Sequence, residues 1–145
     1  MKEFDRRITM LTLGVADLQR STAFYGRLGW ARSVASQDGV TFIALDGIVL
    51  SLFGRKALAE DAGLEEGIAG GFPGFSMAYN VGSEAAVDET VQFACECGAT
   101  LVKPPRKVFW GGYSGYVADP DGFLWEVAFN PFMPLDDTGC MVLDR

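Results

Sequence analysis

The chain has no histidine. That absence removes Ser-His and Cys-His nucleophile pairs, histidine acid–base chemistry and every histidine-ligated metal site. Any metal would need an oxygen-rich or sulfur site. Thiols are scarce and odd in number: Cys95, Cys97 and Cys140. The first two lie two apart on an expected helix and so point in different directions. Neither a disulfide framework nor a zinc spacing follows, and a reducing, cytoplasmic setting is expected. Long apolar runs are missing too; none approaches the roughly 20 residues that span a bilayer. The opening MKEFDRRITMLTLGVADL is charged, with a short apolar run that ends in an acid, so it reads as a first strand and not as a signal peptide. Cations are outnumbered, giving a net charge of −7. This disfavours nucleic acid and is compatible with a cationic ligand, although solubility alone accounts for it.

What is present is ample apolar material. Hydrophobic residues make up 49% of 145 residues, enough for the core of one compact domain. The most informative stretch is WGGYSGYVADPDGFLWEVAFNP, residues 110–131. Apolar runs 113–118 and 123–129 flank Asp119-Pro120-Asp121-Gly122, a tight-turn sequence, so a hairpin is expected. This hairpin carries one carboxylate, Glu126, into the middle of an apolar strand. Burying a bare charge is costly, so that acid must be exposed, paired, protonated or bound to something.

Before the hairpin, 8–15 reads as a strand. Asp17 then stands at a helix N-cap, Leu18, Ala23, Phe24 and Leu28 recur at helical spacing, and Gly29 ends the helix. Strands are expected at 31–36, 40–45 and 48–53, with Asp46-Gly47 as a hairpin turn. Residues 55–72 read as a connection with a short charged segment that can be helical. The second half starts with a strand at 75–81. Ser83 is the expected N-cap of a helix with Ala86, Val87, Val91 and Ala94 on its apolar face, closed by Gly98. A strand at 100–102, a basic Pro-containing loop at 103–107 and the hairpin follow. The tail, 132–145, should be irregular. LTLGVADLQRSTAFYGRLG against MAYNVGSEAAVDETVQFACECG is an internal repeat, so two similar β-α-β-β-β modules are expected, 8–54 and 73–131.

The LTLGVADLQRSTAFYGRLGW opening, the repeated module and the closing DPDGFLWEVAFNP resemble the vicinal oxygen chelate superfamily, which includes glyoxalases, extradiol dioxygenases and bleomycin- and fosfomycin-resistance proteins. The resemblance covers roughly residues 8–131. It implies an α+β fold in which two βαβββ modules form curved mixed sheets around a cavity, and it implies a homodimer. The motifs are specific for fold and weak for function, since this fold serves isomerases, oxygenases, transferases and drug-binding proteins. Metal-using members carry His or Gln, then Glu, then His, then Glu. Counting back five from Val15 puts Met10 at the first position. Leu50 is taken as the counterpart of Glu126 in the first module, and counting back five from Val81 gives Ser76. Only Glu126 keeps a good ligand, so no cofactor is expected, and a divalent metal would have to bind through oxygen ligands that include Glu126.

Period-two alternation sets the neighbours of Glu126. Leu124, Glu126 and Ala128 share one face, as do Ser114, Tyr116 and Ala118, and the resemblance makes this the cavity face with Trp110 at its entrance. Met10, Thr12 and Gly14 should also face the cavity. The candidate ligand-binding set is therefore Met10, Leu50, Ser76, Trp110, Ser114, Tyr116 and Glu126, with Glu126 as the candidate catalytic base. Glu126 either pairs with a cationic ligand, abstracts a proton, or is a structural acid bonded to Tyr116 or Ser76. Trp110 and Tyr116 either stack on a flat or cationic ligand or simply fill strand positions. Lys103, Arg106 and Lys107 either meet an anionic substrate or form a solvated loop, the reading that the acidic chain favours, and Asp119 and Asp121 read as turn residues. The favoured function is metal-independent binding of a small, cationic or aromatic molecule. The alternatives are a glyoxalase-like lyase or isomerase with Glu126 as general base, and a degenerate protein-interaction module.

Overall fold

The computed structural model describes residues 3–144. The chain is α+β and divides into two compact units, Met1–Ala69 and Gly70–Arg145. The boundary falls inside the expected 55–72 connection.

The first unit holds β1 (Met10–Val15), α1 (Leu18–Arg27), β2 (Val40–Leu45), β3 (Ile48–Gly54) and α2 (Arg55–Asp61). Its sheet runs β1-β3-β2, with β1 parallel and β2 antiparallel to β3. Asp17 caps α1 as its sequence position requires, its Oδ1 accepting the Arg20 N–H at 3.0 Å. Gly29 leaves the helix at φ 100°, where an L side chain would be strained. Phe24 and Tyr25 are fully buried among Leu13, Val15, Ile43, Leu50 and Leu52. Trp30 stacks on Tyr25 with ring centroids 6.0 Å apart. Truncating a buried aromatic of this kind costs about 3–5 kcal/mol.

The strand expected at 31–36 does not form. Short polar side chains compete there for the backbone groups that a ladder would use. The Ser33 hydroxyl accepts the Ala35 N–H at 3.1 Å. Ser36 Oγ accepts the Phe42 N–H at 2.9 Å and donates to the Phe42 carbonyl at 3.3 Å. Ser36 Oγ thus takes the Phe42 N–H at the edge of β2, where only isolated backbone bonds from Ser33 to Phe42 and between Gln37 and Val40 form, and the first module is β-α-β-β. The connection begins with α2, as its composition allows. Gly14 lets it approach: a Cβ there would lie 3.2 Å from Arg55 Cα and 3.3 Å from Leu58 Cδ2. The α2 helix therefore covers the Gly14 end of the face that β1 was expected to leave open.

The second unit holds β4 (Met77–Asn80), α3 (Glu84–Glu96), β5 (Thr100–Lys107), β6 (Tyr113–Ala118) and β7 (Leu124–Phe129), with sheet order β4-β7-β6-β5. Ser83 caps α3, accepting the Ala86 N–H at 3.0 Å, and Val87, Val91 and Ala94 are buried beneath it. The hairpin turn is fixed by Asp119, whose Oδ1 accepts the N–H groups of Asp121 and Phe123, both at 2.9 Å. Asp119 is thus structural, as its turn position implied. The tail is tied by Asp136, whose Oδ1 accepts from Thr138 Oγ1 at 2.6 Å and from the Cys140 N–H at 3.0 Å. All three cysteines are free thiols.

The expected loop at 103–107 is instead the second half of β5, an edge strand carrying two register shifts against β6. Pro104 and Pro105 have no N–H to give a ladder, and an edge with bulges is where a sheet tolerates them. Gly115 makes room: a Cβ there would sit 2.9 Å from the Lys103 carbonyl oxygen and from Pro105 N.

Candidate functional site

The second sheet has two faces of different character. Tyr113, Gly115 and Val117 lie with Trp125, Val127 and Phe129 on the side of α3. Val117 and Val127 are buried there, and Tyr113 Oη donates to Asp88 Oδ1 of α3 at 2.8 Å. The Asp88 carboxylate that accepts this bond holds the Tyr113 phenol above its usual range. Tyr113 thus lies on the α3 side, away from Glu126.

The other face carries Glu126. Register aligns its side chains in transverse rows. Lys103 opposes Tyr116, Tyr116 opposes Glu126 and Glu126 opposes Ala78. In the next row Arg106 opposes Ser114, Ser114 opposes Ala128 and Ala128 opposes Asn80. Tyr116 and Glu126 are directly opposite, and Tyr116 Oη donates to Glu126 Oε2 at 3.2 Å. Both are half-buried, while the flanking Ser114, Ala118 and Ala128 are small and buried. The pair therefore stands as a polar ridge in a low, mostly apolar surround. Burial first, and then the Glu126 charge and hydrogen bond, hold the Tyr116 phenol above its usual range. It remains a donor, and Glu126 keeps lone pairs free for a second partner.

The other expected site residues are placed as follows. Ser114 shares the Glu126 face. Ser76 lies just before β4, exposed, two residues ahead of Ala78 and so in phase with it; the hydroxyl that Glu126 meets is that of Tyr116. Trp110 lies in the loop before β6 with its ring over Gly112, where an added Cβ would overlap the indole. Its ring is committed to closing that loop at least on one side. In the first unit Met10 opens β1, partly exposed, opposite Val49.

Leu50 is displaced from its expected face. It pairs with Leu11, in phase with Leu13, Val15 and Leu52, and is 2% exposed in the core under α1. In the second unit Glu126 opposes Ala78, two residues after Ser76; the equivalent step from Met10 leads to Thr12 and its partner Ser51. Ser51, in phase with Met10, is the counterpart of Glu126. A one-residue offset in a strand exchanges faces, and sequence similarity between apolar strands cannot fix it. The first unit also has a groove of about 330 Å³ near Arg7, Thr9, Leu45 and Ile48, which includes neither Met10 nor Leu50.

The donor set at the family's ligand positions is now a thioether (Met10), two hydroxyls (Ser51 and Ser76) and one carboxylate (Glu126). Hard divalent cations want several carboxylate or carbonyl oxygens and zinc wants thiolate or imidazole, so these residues do not fit a metal of the family type. Among the described residues no three His, Cys, Asp or Glu side chains are grouped to hold an ion.

Lys103 and Arg106, expected on a solvated loop, stand on β5 instead. Register puts both on the Glu126 face. The run of two prolines amid basic residues is the signal in the sequence for such a bulge.

Two sheets fed by parallel β1–β3 and β4–β7 pairs, each with a helix on one face, define a protein built from paired glyoxalase-type modules. Residues 7–127 match the family described as the Glyoxalase/Bleomycin resistance protein/Dioxygenase superfamily, and the chain belongs to it. A glyoxalase-related enzyme from Fulvimarina pelagi is 34% identical, with 97% of this chain and 99% of that one covered and a TM-score of 0.85. A glyoxalase/bleomycin resistance protein/dioxygenase family enzyme from Burkholderia phytofirmans PsJN is 19% identical over 85% of this chain and 98% of its own, TM-score 0.75. The lactoylglutathione lyase from Agrobacterium tumefaciens is 22% identical over 88% and 96%, TM-score 0.67. The last two similarities are of fold alone. No curated protein gives a significant match. Among the described residues no helix is long and apolar enough to cross a membrane.

Proposed function

We propose that this family member binds a small molecule without a metal ion, on the face of the second sheet that carries Glu126. The observation that supports this most is the Tyr116–Glu126 pair, half-buried among small residues. A carboxylate in such a place is costly unless it is matched. One phenol satisfies one oxygen and leaves the rest of its acceptor capacity for a ligand's ammonium or other donor group, against which the Tyr116 ring can pack. Ser114 adds a hydroxyl beside it. A homodimer in a reducing cytoplasm is the expected state.

The test is thermal stabilisation by a panel of cationic aromatic compounds, with untagged protein whose metal content has been measured. We expect metal-free protein, stabilisation that survives chelator, and loss of most of it in Glu126→Gln. A hit whose affinity is the same in Glu126→Gln would remove Glu126 from the mechanism. Stoichiometric metal that chelator strips with loss of ligand binding would end the metal-free reading.

The second reading is an enzyme, favoured by the 34% identical relative described as a glyoxalase-related enzyme. Glu126 would then take a proton from carbon next to a carbonyl, with the Tyr116 phenol steering the carboxylate and, once Glu126 is protonated, turning its single O–H to the oxyanion. Turnover of an α-ketoaldehyde adduct that persists in chelator and is lost in Glu126→Gln is the outcome that distinguishes it.

A further inference from the structure

We propose that Lys103 and Arg106 form an oxyanion-binding edge of the Glu126 face, so that the ligand carries a carboxylate, phosphonate or phosphate as well as the donor group that Glu126 accepts. This rests on the reading of that face as the binding face.

The argument is one of register. Arg106 opposes Ser114. In an unbroken antiparallel ladder Pro104 would then oppose Tyr116, and Lys103 would oppose Val117 on the α3 side. The bulge between Lys103 and Arg106 inserts one residue, and Lys103 opposes Tyr116 instead. The irregularity thus moves a cation from the helix-covered face to the face of Glu126. Lys107, opposite Tyr113, stays on the α3 side. A charged edge strand also discourages pairing with other chains, but that purpose is served by a lysine on either face. Re-aiming Lys103 to the row of Tyr116 and Glu126 is what the bulge adds.

Charge points the same way. In a chain of net charge −7, Lys103 and Arg106 form no ion pair among the described residues. Lys103 is half-buried, Arg106 exposed, and the Ser114 hydroxyl lies opposite Arg106. A guanidinium fork beside an ammonium and a hydroxyl suits an oxyanion. One strand, β6, separates the cations from Glu126, so the two ends of the ligand are held about 10 Å apart at backbone level, and less at the side-chain tips. A short zwitterion spans that distance.

The test is a ¹⁵N-edited NMR titration with two probes, propylphosphonate and 3-aminopropylphosphonate. Both should saturate and shift the amides of residues 103–107 and 113–116, and the amino compound should bind more tightly. Lys103→Gln with Arg106→Gln should weaken both about tenfold or more, while Lys103→Arg keeps the affinity. Unchanged phosphonate affinity in the double variant, saturation at other residues, or no saturable shift up to about 50 mM would overturn the proposal. Glu126→Gln separates the two readings, because it should abolish only the preference for the amino compound. If that preference vanishes in Glu126→Gln while both probes ignore the double Gln variant, the oxyanion edge is wrong and the Glu126 reading stands. If the double variant loses both probes and Glu126→Gln changes nothing, the reverse holds.

Discussion

Gly115→Ala is the perturbation that tests the bulged edge. Two effects oppose each other. Replacing glycine at an ordinary φ restricts the unfolded chain and stabilises by about 0.4–1 kcal/mol; Gly115 is not among the glycines with positive φ. Against this, the new methyl would lie 2.9 Å from the Lys103 carbonyl oxygen, 2.9 Å from Pro105 N and 3.0 Å from Pro105 Cγ. The first two are backbone atoms of a strand held by its bulges, and the third belongs to a rigid ring, so no flexible side chain can yield. Overpacking of this kind costs about 1–3 kcal/mol. The clash wins, and a net loss of about 1–2 kcal/mol should lower Tm by about 3–8 °C. Gly26→Ala is the matched control. It lies in the last turn of α1 with nothing within 4 Å of its added Cβ, and the same chemical change should raise stability by up to about 0.5 kcal/mol. Thermal and urea unfolding measure both. Gly115→Ala as stable as the parent, alongside a stabilised Gly26→Ala, would refute the claim that β5 rests on the Gly115 backbone. NMR of the same variant should show amide shifts concentrated at residues 101–107.

The remaining expectations concern single hydrogen-bonded groups. Removing the Tyr116–Glu126 bond by Tyr116→Phe should cost about 1 kcal/mol, and a double-mutant cycle with Glu126→Gln should return a coupling of similar size; zero coupling would make the 3.2 Å contact energetically idle. The Tyr116 phenol is raised above 10.0, so folding favours its protonated form; its contribution is intact below pH 10 and is lost as pH rises through the folded-state value. An absorbance titration at 295 nm should lose one late step in Tyr116→Phe and show that step earlier in Glu126→Gln. Asp119→Ala removes the acceptor of two backbone N–H groups and should cost about 2 kcal/mol in urea unfolding, more than Asp119→Asn, which keeps an acceptor. Ser36→Ala should cost about 1 kcal/mol and raise hydrogen exchange at Phe42, whose N–H it leaves without its partner.

Local chemistry made most of the fold legible. Asp17 and Ser83 cap helices because a short side-chain oxygen meets a free N–H there, and Asp46-Gly47 and Asp119 to Gly122 turn because their residues suit the turns. Such signals involve atoms a few residues apart, and the sequence states them directly. The failures share another origin. Whether 31–36 becomes a strand depended on whether Ser36 Oγ would take the Phe42 N–H in place of a ladder partner. Whether 103–107 becomes a strand depended on a glycine on a neighbouring strand, Gly115, leaving room for Pro105. Both outcomes rest on contacts between segments, which propensity does not encode.

The site was legible to the same extent and no further. Alternation along one strand put Ser114, Tyr116 and Glu126 on one face, because the period is a property of each strand alone. Leu50 was misplaced because equating two strands across a repeat requires register, and register is a relation between strands. Once pairing is known, Ser51 takes the place of Glu126 in the first module, and the two modules differ in kind. At this position the first offers a hydroxyl, while the second offers a carboxylate bonded to a phenol. A bulge then brings a lysine into the same row, with an arginine in the next. The two sheets share a β-α-β-β plan, and the carboxylate–phenol pair stands on the second. The acid alone would invite a cation. With Lys103 beside Tyr116 and Arg106 beside Ser114, the same face is complementary to a molecule bearing both charges, which is why the oxyanion and the donor group must be tested on one ligand.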